Sequence, residues 1–305
     1  DLYNDVHIPQ PETFDDTYDN RSEAARGAKM RIFGHMNYKD LKLKPPAGKS
    51  EWTFIEIPDD LTGFSLTPLD TGEPVTFASH AELKDWMYQR YIKDYLRCIA
   101  SIDENVGRML DFLDEEGLAE NTIIIYTSDQ GFFLGDHGWY DKRFMYEESL
   151  RMPFLVRYPR EIKAGTRTKA MATNLDFAQT FLDYAGVTIP GDMQGRSLRP
   201  IFAGEEPEDW PTAMYYRYWM HLTEHGVPAH YGIRTLRYKL IYYYGEALGT
   251  TDSVDRSTPP EWELFDLEKD PLEMQNVYHD PAYAQVVAEL KEELYRLKEE
   301  AQDYR

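Results

Sequence analysis

The chain is built around residues 122–148, which read Thr122-Ile-Ile-Ile-Tyr-Thr-Ser-Asp-Gln-Gly-Phe-Phe-Leu-Gly-Asp-His-Gly-Trp-Tyr-Asp-Lys-Arg-Phe-Met-Tyr-Glu-Glu148. The first six residues form a short apolar run rich in β-branched side chains, which is typical of a strand buried on both faces of a parallel sheet. This run stops at Ser128-Asp-Gln-Gly131, where the sequence becomes polar. Because ligands of open α/β sheets gather past the carboxyl ends of the strands, a functional site is expected at this turn.

Several side chains after the strand are suited to binding a cation or an oxyanion. Asp129 and Gln130 offer oxygen atoms, which suit Ca²⁺ or Mg²⁺ better than Zn²⁺, although Asp129 could simply hydrogen-bond the turn. Lys142 offers a compact cation for a tetrahedral oxyanion, with a solvated surface lysine as the alternative. Histidine ordinarily titrates near neutrality, so His137 could act as an acid, a base or a substrate donor, or it could bond to the backbone.

The spacing of these residues resembles the C-terminal signature of the type I, formylglycine-dependent sulfatases of the alkaline-phosphatase-like superfamily. The pattern is Ser-Asp-Gln-Gly-(x)3-Gly-Asp-His-Gly-(x)3-Lys-(x)3-Tyr-Glu-Glu-Ser, from Ser128 to Ser149. Similarity to the family extends over nearly the whole chain, through residues 151–159, 194–198, 231–240 and 262–271.

The resemblance implies roles for three of these residues. Asp129 and Gln130 are expected to be ligands of one catalytic Ca²⁺, with Mg²⁺ possible, and Lys142 is expected to bind the sulfate. Many family members carry Asn or His at the position of Gln130, and a glutamine still supplies an oxygen. The family hydrolyses sulfate monoesters through a hydrated formylglycine, and the expected partner is a sulfated glycan, as in N-acetylglucosamine-6-sulfatases, or an aryl sulfate.

The formylglycine precursor of the family, Cys or Ser in Cys-x-Pro-x-Arg, is not found around the single cysteine of the chain. Cys98 is followed by Ile-Ala-Ser-Ile and lies on the apolar stripe of a predicted helix, where it is expected to be a small buried hydrophobe. Family members also carry an Asp-Asp pair after an early strand. Asp59 and Asp60 of this chain fit a turn before Gly63 better than they fit that pair. The chain begins at Asp1 rather than at Met, so we expect the formylglycine upstream, in an N-terminal remainder of the same enzyme, and this chain alone to be inactive.

Composition limits the possible partners. The 33 basic and 54 acidic residues give a net charge of −21, which disfavours nucleic-acid binding. An anionic substrate would therefore need a local cluster of cations. The chain contains no apolar stretch long enough to predict a membrane span.

The patterns predict an α/β fold, an alkaline-phosphatase-like sandwich with a mainly parallel sheet whose N-terminal part is missing, plus a small C-terminal antiparallel sheet with a helix. Apolar residues at three- and four-residue steps predict a helix over 82–116, closed by Gly117. The acidic, turn-rich break after Gly204 divides residues 1–204, a portion of the catalytic α/β domain, from residues 205–305, a C-terminal α+β subdomain. In the second part we predict strands at 213–219, 231–235, 238–244 and 262–266, followed by a helix at 282–299.

Histidines in the second part are candidates for substrate binding. His225 and His230 lie among aromatic residues and could contact sugar hydroxyl groups, or they could belong to ordinary strand-edge packing. Two other functions remain open. One is a phosphoric or phosphonic ester hydrolase of the same superfamily, against which Gln130 argues because two-metal members generally place His there. The other is a non-catalytic glycan-binding module.

Overall fold

The computed structural model describes residues 2–205 and 207–305, and the chain divides into two compact units. The first unit comprises the chain up to Thr17 together with Ala28–Phe112 and Phe132–Lys142. The second comprises Tyr18–Gly27, Leu113–Gly131 and Arg143–Arg305. The predicted boundary after residue 204 falls inside the second unit, and the division at that point stays a prediction.

In chain order, the helices are α1 (Glu23–Gly27), α2 (Ile32–His35), α3 (His80–Glu115), α4 (Glu147–Leu150), α5 (Asp176–Tyr184), α6 (Arg199–Phe202) and α7 (Ala284–Glu300). The strands are β1 (Ser65–Leu66), β2 (Val75–Thr76), β3 (Ile124–Thr127), β4 (Phe133–Leu134), β5 (Tyr140–Asp141), β6 (Phe154–Arg157), β7 (Ala213–Tyr218), β8 (His230–Thr235), β9 (Tyr238–Tyr243) and β10 (Glu261–Asp266).

The first unit packs around the N-terminal half of α3. The predicted helix is confirmed, and Gly117 follows it with a φ of +67°, a backbone conformation that glycine adopts without strain. Four apolar side chains of α3 are buried at helical spacing, in contact with apolar residues of the long loops before it. The core of this unit consists of Phe14, Ile32, Met36, Tyr38, Leu41, Leu43, Ile55, Leu66, Phe77, Leu83, Met87, Tyr88, Ile92 and Tyr140.

The C-terminal half of α3 does not follow the prediction of a buried stripe. The core of the first unit covers α3 only as far as Leu96. Beyond it, Ile102 and Met109 are exposed, and Cys98 is exposed as well. The expectation that Cys98 is a buried hydrophobe is therefore wrong, because the apolar periodicity continues past the end of the core.

The second unit contains the strand of the quoted stretch. β3 pairs with β6 in an antiparallel two-stranded sheet, with Ile124 opposite Arg157 and Thr127 opposite Phe154. Every residue of β3 is half-buried. The expectation of a strand buried on both faces among parallel neighbours is thus not met within the described ranges, where all strand pairs are antiparallel.

The second unit also contains the predicted C-terminal sheet. Its strand order is β10-β9-β8-β7, all antiparallel, and α7 packs across one face. Because side chains alternate along a strand, the α7 face and the opposite face carry different sets of residues. The α7 face is apolar and consists of Tyr231, Ile233, Leu240 and Leu264 against Leu290 and Leu294. The small antiparallel sheet with a helix is therefore confirmed.

None of the helices in the described ranges combines the length and the apolarity that crossing a bilayer requires.

The packing of α7 makes Leu294 a sensitive position. Its side chain is fully buried, so Leu294→Ala removes apolar contacts and leaves a cavity, and the free energy of unfolding should fall by about 2–5 kcal/mol. The matched control is Leu236→Ala, because Leu236 is 57% exposed and its truncation should change stability by less than about 0.5 kcal/mol. Urea unfolding followed by circular dichroism measures both, and equal losses would contradict the packing described here.

Candidate functional site

Asp129 and Gln130 directly follow β3, which ends at Thr127. Asp129 is exposed and its Oδ1 accepts a hydrogen bond from Ser128 Oγ at 3.2 Å, while Gln130 is half-buried. Both side chains are thus placed at the end of the strand rather than in an apolar core. Within residues 2–205 and 207–305, no three side chains of His, Cys, Asp or Glu form a group that could hold a metal ion. The pair therefore offers two oxygen donors, and its metal role stays a prediction.

The turn that follows Asp129 and Gln130 contacts the C-terminal end of α4. Gly131 donates its backbone N–H to the carbonyl of Ser149 at 2.9 Å. A Cβ atom on Gly131 would lie 2.0 Å from the carbonyl oxygen of Glu148 and 2.4 Å from that of Arg151. Only glycine fits at this position, so the strand end and the C-terminus of α4 are in direct backbone contact.

The N-terminus of α4 is held by a buried ion-pair network, defined here as Glu147, Arg234, Lys239 and Glu273. Lys239 Nζ lies 2.6 Å from Glu273 Oε1 and 3.0 Å from Glu147 Oε1. Arg234 donates to both carboxylate oxygens of Glu147, at 3.2 and 3.0 Å. Glu273 Oε2 accepts the backbone N–H of Glu147 at 2.6 Å. The network thus joins α4 to β8, to β9 and to the loop after β10.

Burial and the neighbouring cations act in opposite directions on the two carboxyl groups of the network. Burial raises the pKa of Glu147, but the charges of Lys239 and Arg234 outweigh it and hold this pKa low, at about 2. For Glu273 burial raises the pKa above its ordinary value, and the charge and the hydrogen bond of Lys239 oppose that shift. Glu147 is therefore ionised at any ordinary pH, and the neighbouring ammonium of Lys239 favours the charged form of Glu273 as well.

His137 is an internal residue of the loop in the first unit. Its side chain is 1% exposed, its backbone φ is +54°, and its Nδ1 lies 2.9 Å from Asp16 Oδ2. Its backbone N–H donates to Thr13 Oγ1 at 3.0 Å. These contacts favour a role in holding the loop, and the predicted role as acid, base or substrate donor stays a prediction.

Lys142 emerges from a short, well-anchored hairpin of the first unit. β4 pairs with β5, so that Leu134 lies opposite Tyr140. Two hydrogen bonds fix the position of Tyr140. Its N–H donates to the Met30 carbonyl at 2.9 Å, and its hydroxyl donates to the His35 carbonyl at 2.7 Å. Lys142 follows β5 directly and is half-buried. Its sulfate-binding role stays a prediction.

The two candidate substrate-binding histidines are buried in the second unit. His225 is 6% exposed, and His230 is fully buried on β8. His230 Nδ1 donates to the Pro228 carbonyl at 2.9 Å, and its ring stacks on Tyr218 with the centroids 5.2 Å apart. Packing of this kind is what the alternative interpretation expected, and contact with a substrate stays a prediction.

The sequence interpretation missed the ion-pair network. A signal was present, because Lys239 interrupts an apolar strand whose neighbours are Tyr238 and Leu240. A charged residue at a position where the strand is buried on both faces must find a partner of opposite charge. Glu273, the partner found here, lies in a loop after β10 and has no periodicity to mark it.

Comparison with known protein families places the chain in the sulfatase family. The Sulfatase family model matches residues 3–187, and the model of the N-sulphoglucosamine sulphohydrolase C-terminal domain matches residues 135–300. The chain therefore belongs to the sulfatase family, whose members generally use a metal ion and a formylglycine. This family also confirms the predicted alkaline-phosphatase-like α/β class.

Individual relatives agree with this assignment. An N-acetylglucosamine-6-O-sulfatase of Bacteroides thetaiotaomicron is 41% identical over 99% of this chain and 53% of its own length, and an arylsulfatase of Clostridium perfringens is 31% identical over 66% of this chain and 39% of its own. The chain thus spans about half or less of the length of these relatives.

Solved structures give the same picture. A complex of a protein with its substrate D-glucosamine-2-N,6-O-disulfate superposes on 99% of this chain and 62% of its own, with a TM-score of 0.82 and 38% identity. A phosphonate monoester hydrolase from Silicibacter pomeroyi superposes on 72% of this chain and 43% of its own, with a TM-score of 0.60 and 28% identity.

The burial of His230 has a measurable consequence for stability. Burial lowers the pKa of His230 to about 4, although the bond to Pro228 opposes this shift. The unfolded chain therefore binds a proton more readily between about pH 6.5 and pH 4, so the folded state loses up to about 3 kcal/mol as the pH falls through that range. His230→Phe should weaken this pH dependence, as measured by urea unfolding at about pH 7 and about pH 5.

The matched control is His279→Phe, because His279 is exposed and its replacement should leave the pH dependence as in the wild type. If His230→Phe kept the full dependence, His230 would not be the buried neutral imidazole described above.

Proposed function

We propose that the protein is a sulfuric ester hydrolase that removes sulfate from sulfated carbohydrates, with 6-O-sulfated glucosamine as the favoured substrate class. The observation that carries this proposal is the 41% identity to an N-acetylglucosamine-6-O-sulfatase along 99% of the chain. The uninterrupted signature from Ser128 to Ser149 supports it as well.

Asp129 and Gln130 are assigned to the metal in this proposal. Their carboxylate and amide oxygens have the chemistry that Ca²⁺ prefers, with Mg²⁺ as the second choice, and they lie outside the apolar core. When bound, the cation supplies positive charge to the sulfate oxygens. Since Ca²⁺ takes six to eight oxygen ligands, the two residues form part of a larger set.

Lys142 is assigned to the sulfate. An ammonium group is a compact point charge with three donors, which suits an oxygen atom of a tetrahedral anion. The anchored hairpin before Lys142 limits the positions that its backbone can take. A net charge of −21 repels anionic substrates at long range, which makes such a local cation necessary.

The nucleophile is assigned to a part of the protein outside this chain. Cys98 lacks the proline and arginine of the family motif, and it lies on the exposed side of a long helix rather than in a turn. The proposal therefore places the formylglycine in the N-terminal remainder of the enzyme, which is the expected partner of this chain. Residues 1–305 produced alone should release no sulfate.

The reaction class is tested with the full-length protein. We expect sulfate release, measured by ion chromatography, from glucosamine 6-sulfate in preference to 4-nitrophenyl sulfate. A preference for a phenylphosphonate monoester would replace the proposal by the phosphonate hydrolase, to which a structural similarity with a TM-score of 0.60 exists. Binding of the sulfated sugar without turnover would favour the glycan-binding module.

Replacement of Lys142 tests its role in the full-length enzyme. Lys142→Ala should lower kcat by about 10²–10³, because one charged donor to the reacting group is lost, and it should leave the unfolding midpoint near that of the wild type. Lys142→Arg should not restore the rate, because a planar guanidinium does not replace a compact ammonium. The matched control is Lys163→Ala, since Lys163 is an exposed loop lysine. Wild-type turnover in a folded Lys142→Ala enzyme would remove the sulfate-binding role.

A further inference from the structure

The turn that carries Asp129 and Gln130 is held by a neighbouring element. The N–H of Gly131 bonds to the Ser149 carbonyl at 2.9 Å, and there is no space for even one extra carbon atom between Gly131 and the carbonyl of Glu148. Because protein interiors are packed so closely, a displacement of α4 must displace Gly131. Gln130 precedes Gly131 by one peptide bond and moves with it.

The helix α4 is too short to hold its own position. It has four residues, whereas isolated helices shorter than about 12 residues are marginal in water. Its N-cap residue, Tyr146, provides no side-chain cap. The backbone N–H of Glu147 is instead accepted by Glu273 at 2.6 Å, and the Glu147 side chain is paired with Lys239 at 3.0 Å. The place of α4 therefore depends on groups that belong to the C-terminal sheet and the loop after it.

Stability alone does not explain the pair formed by Lys239 and Glu273. Their side chains are 0% and 1% exposed, so both charges are removed from water. Replacement of a buried ion pair by apolar side chains of similar volume is often neutral or stabilising, whereas an ion pair fixes one geometry. The geometry fixed here is that of α4, since both charged groups also contact Glu147.

We propose that Lys239 and Glu273 are positioning residues for Asp129 and Gln130, which they keep in one place by fixing α4 against Gly131. This inference rests on the proposed function, in which Asp129 and Gln130 are metal ligands. Neither Lys239 nor Glu273 is assigned a contact with the cation or the substrate. Groups that hydrogen-bond metal ligands directly typically contribute about 10- to 100-fold to metal affinity, and for residues that act through α4 we expect an effect at the lower end of that range.

The test uses the full-length protein with Lys239→Met/Glu273→Met. This double variant removes one charge of each sign, fills the space with unbranched apolar side chains and leaves Arg234 to pair with Glu147. The fold should therefore be kept, with a urea midpoint near that of the wild type. The dissociation constant for Ca²⁺, measured by titration calorimetry of chelator-treated protein, should rise about tenfold. Hydrogen exchange of the Gly131 amide should accelerate.

The matched control is Arg217→Met/Asp303→Met in the same unit. This second buried pair, with side chains 4% and 9% exposed, contacts Tyr215 and Trp219 rather than α4. Both its Ca²⁺ affinity and its Gly131 exchange should equal those of the wild type. If Lys239→Met/Glu273→Met does not fold, Lys239→Gln/Glu273→Gln keeps polar groups in place, and a smaller change in the same direction is expected from it.

The outcomes separate this inference from the proposed function. If Asp129→Ala abolishes Ca²⁺ binding but the folded double variant keeps wild-type affinity and Gly131 exchange, the positioning role is overturned and the metal role stands. If Lys239→Met/Glu273→Met and the control Arg217→Met/Asp303→Met weaken Ca²⁺ binding equally, a general loss of stability explains the effect and the positioning role is again overturned. If the wild type binds no Ca²⁺, the metal role fails, and Gly131 exchange alone decides the positioning of the turn.

Discussion

A lysine inside a sheet imposes the main constraint on the second unit. Lys239 lies on β9 with no exposed surface, so its charge must be matched within the protein. The two carboxylates that match it come from far apart in the chain, Glu147 at the start of α4 and Glu273 after β10. One buried ammonium therefore ties α4 and the loop after β10 to the C-terminal sheet. Lys239 lies on the face of the sheet opposite the apolar face that packs against α7.

The two faces of the C-terminal sheet bury different kinds of side chains. The face against α7 is a conventional apolar core of Leu, Ile and Tyr side chains. The opposite face buries charged groups and hydroxyls, among them Glu263, which accepts hydrogen bonds from Tyr146 and Tyr243 at 3.2 and 2.9 Å. Hydrogen bonds of this kind are directional, so this face also constrains where its neighbours lie.

Much of the secondary structure could be predicted because its causes are local. The strand-like runs of β7 to β10, the three- and four-residue steps of α3 and the glycine after it are all read directly from the sequence. The position of Asp129 and Gln130 at a strand end was predictable for the same reason. What could not be predicted depends on contacts between distant residues. The exposure of Cys98, the antiparallel partner of β3 and the burial of His230 each depend on which surface covers the element, and periodicity carries no such information.

The exposure of Cys98 has a practical consequence. It is the single thiol of the chain, and it lies on the part of α3 that the core of the first unit leaves uncovered. Attachment of a fluorophore or a spin label there would place one probe at one defined point of a long, rigid helix, without the need to remove competing thiols from this chain. Because the side chain is exposed, such a label would disturb little packing. Its mobility would report directly on whether another surface comes to cover that half of α3.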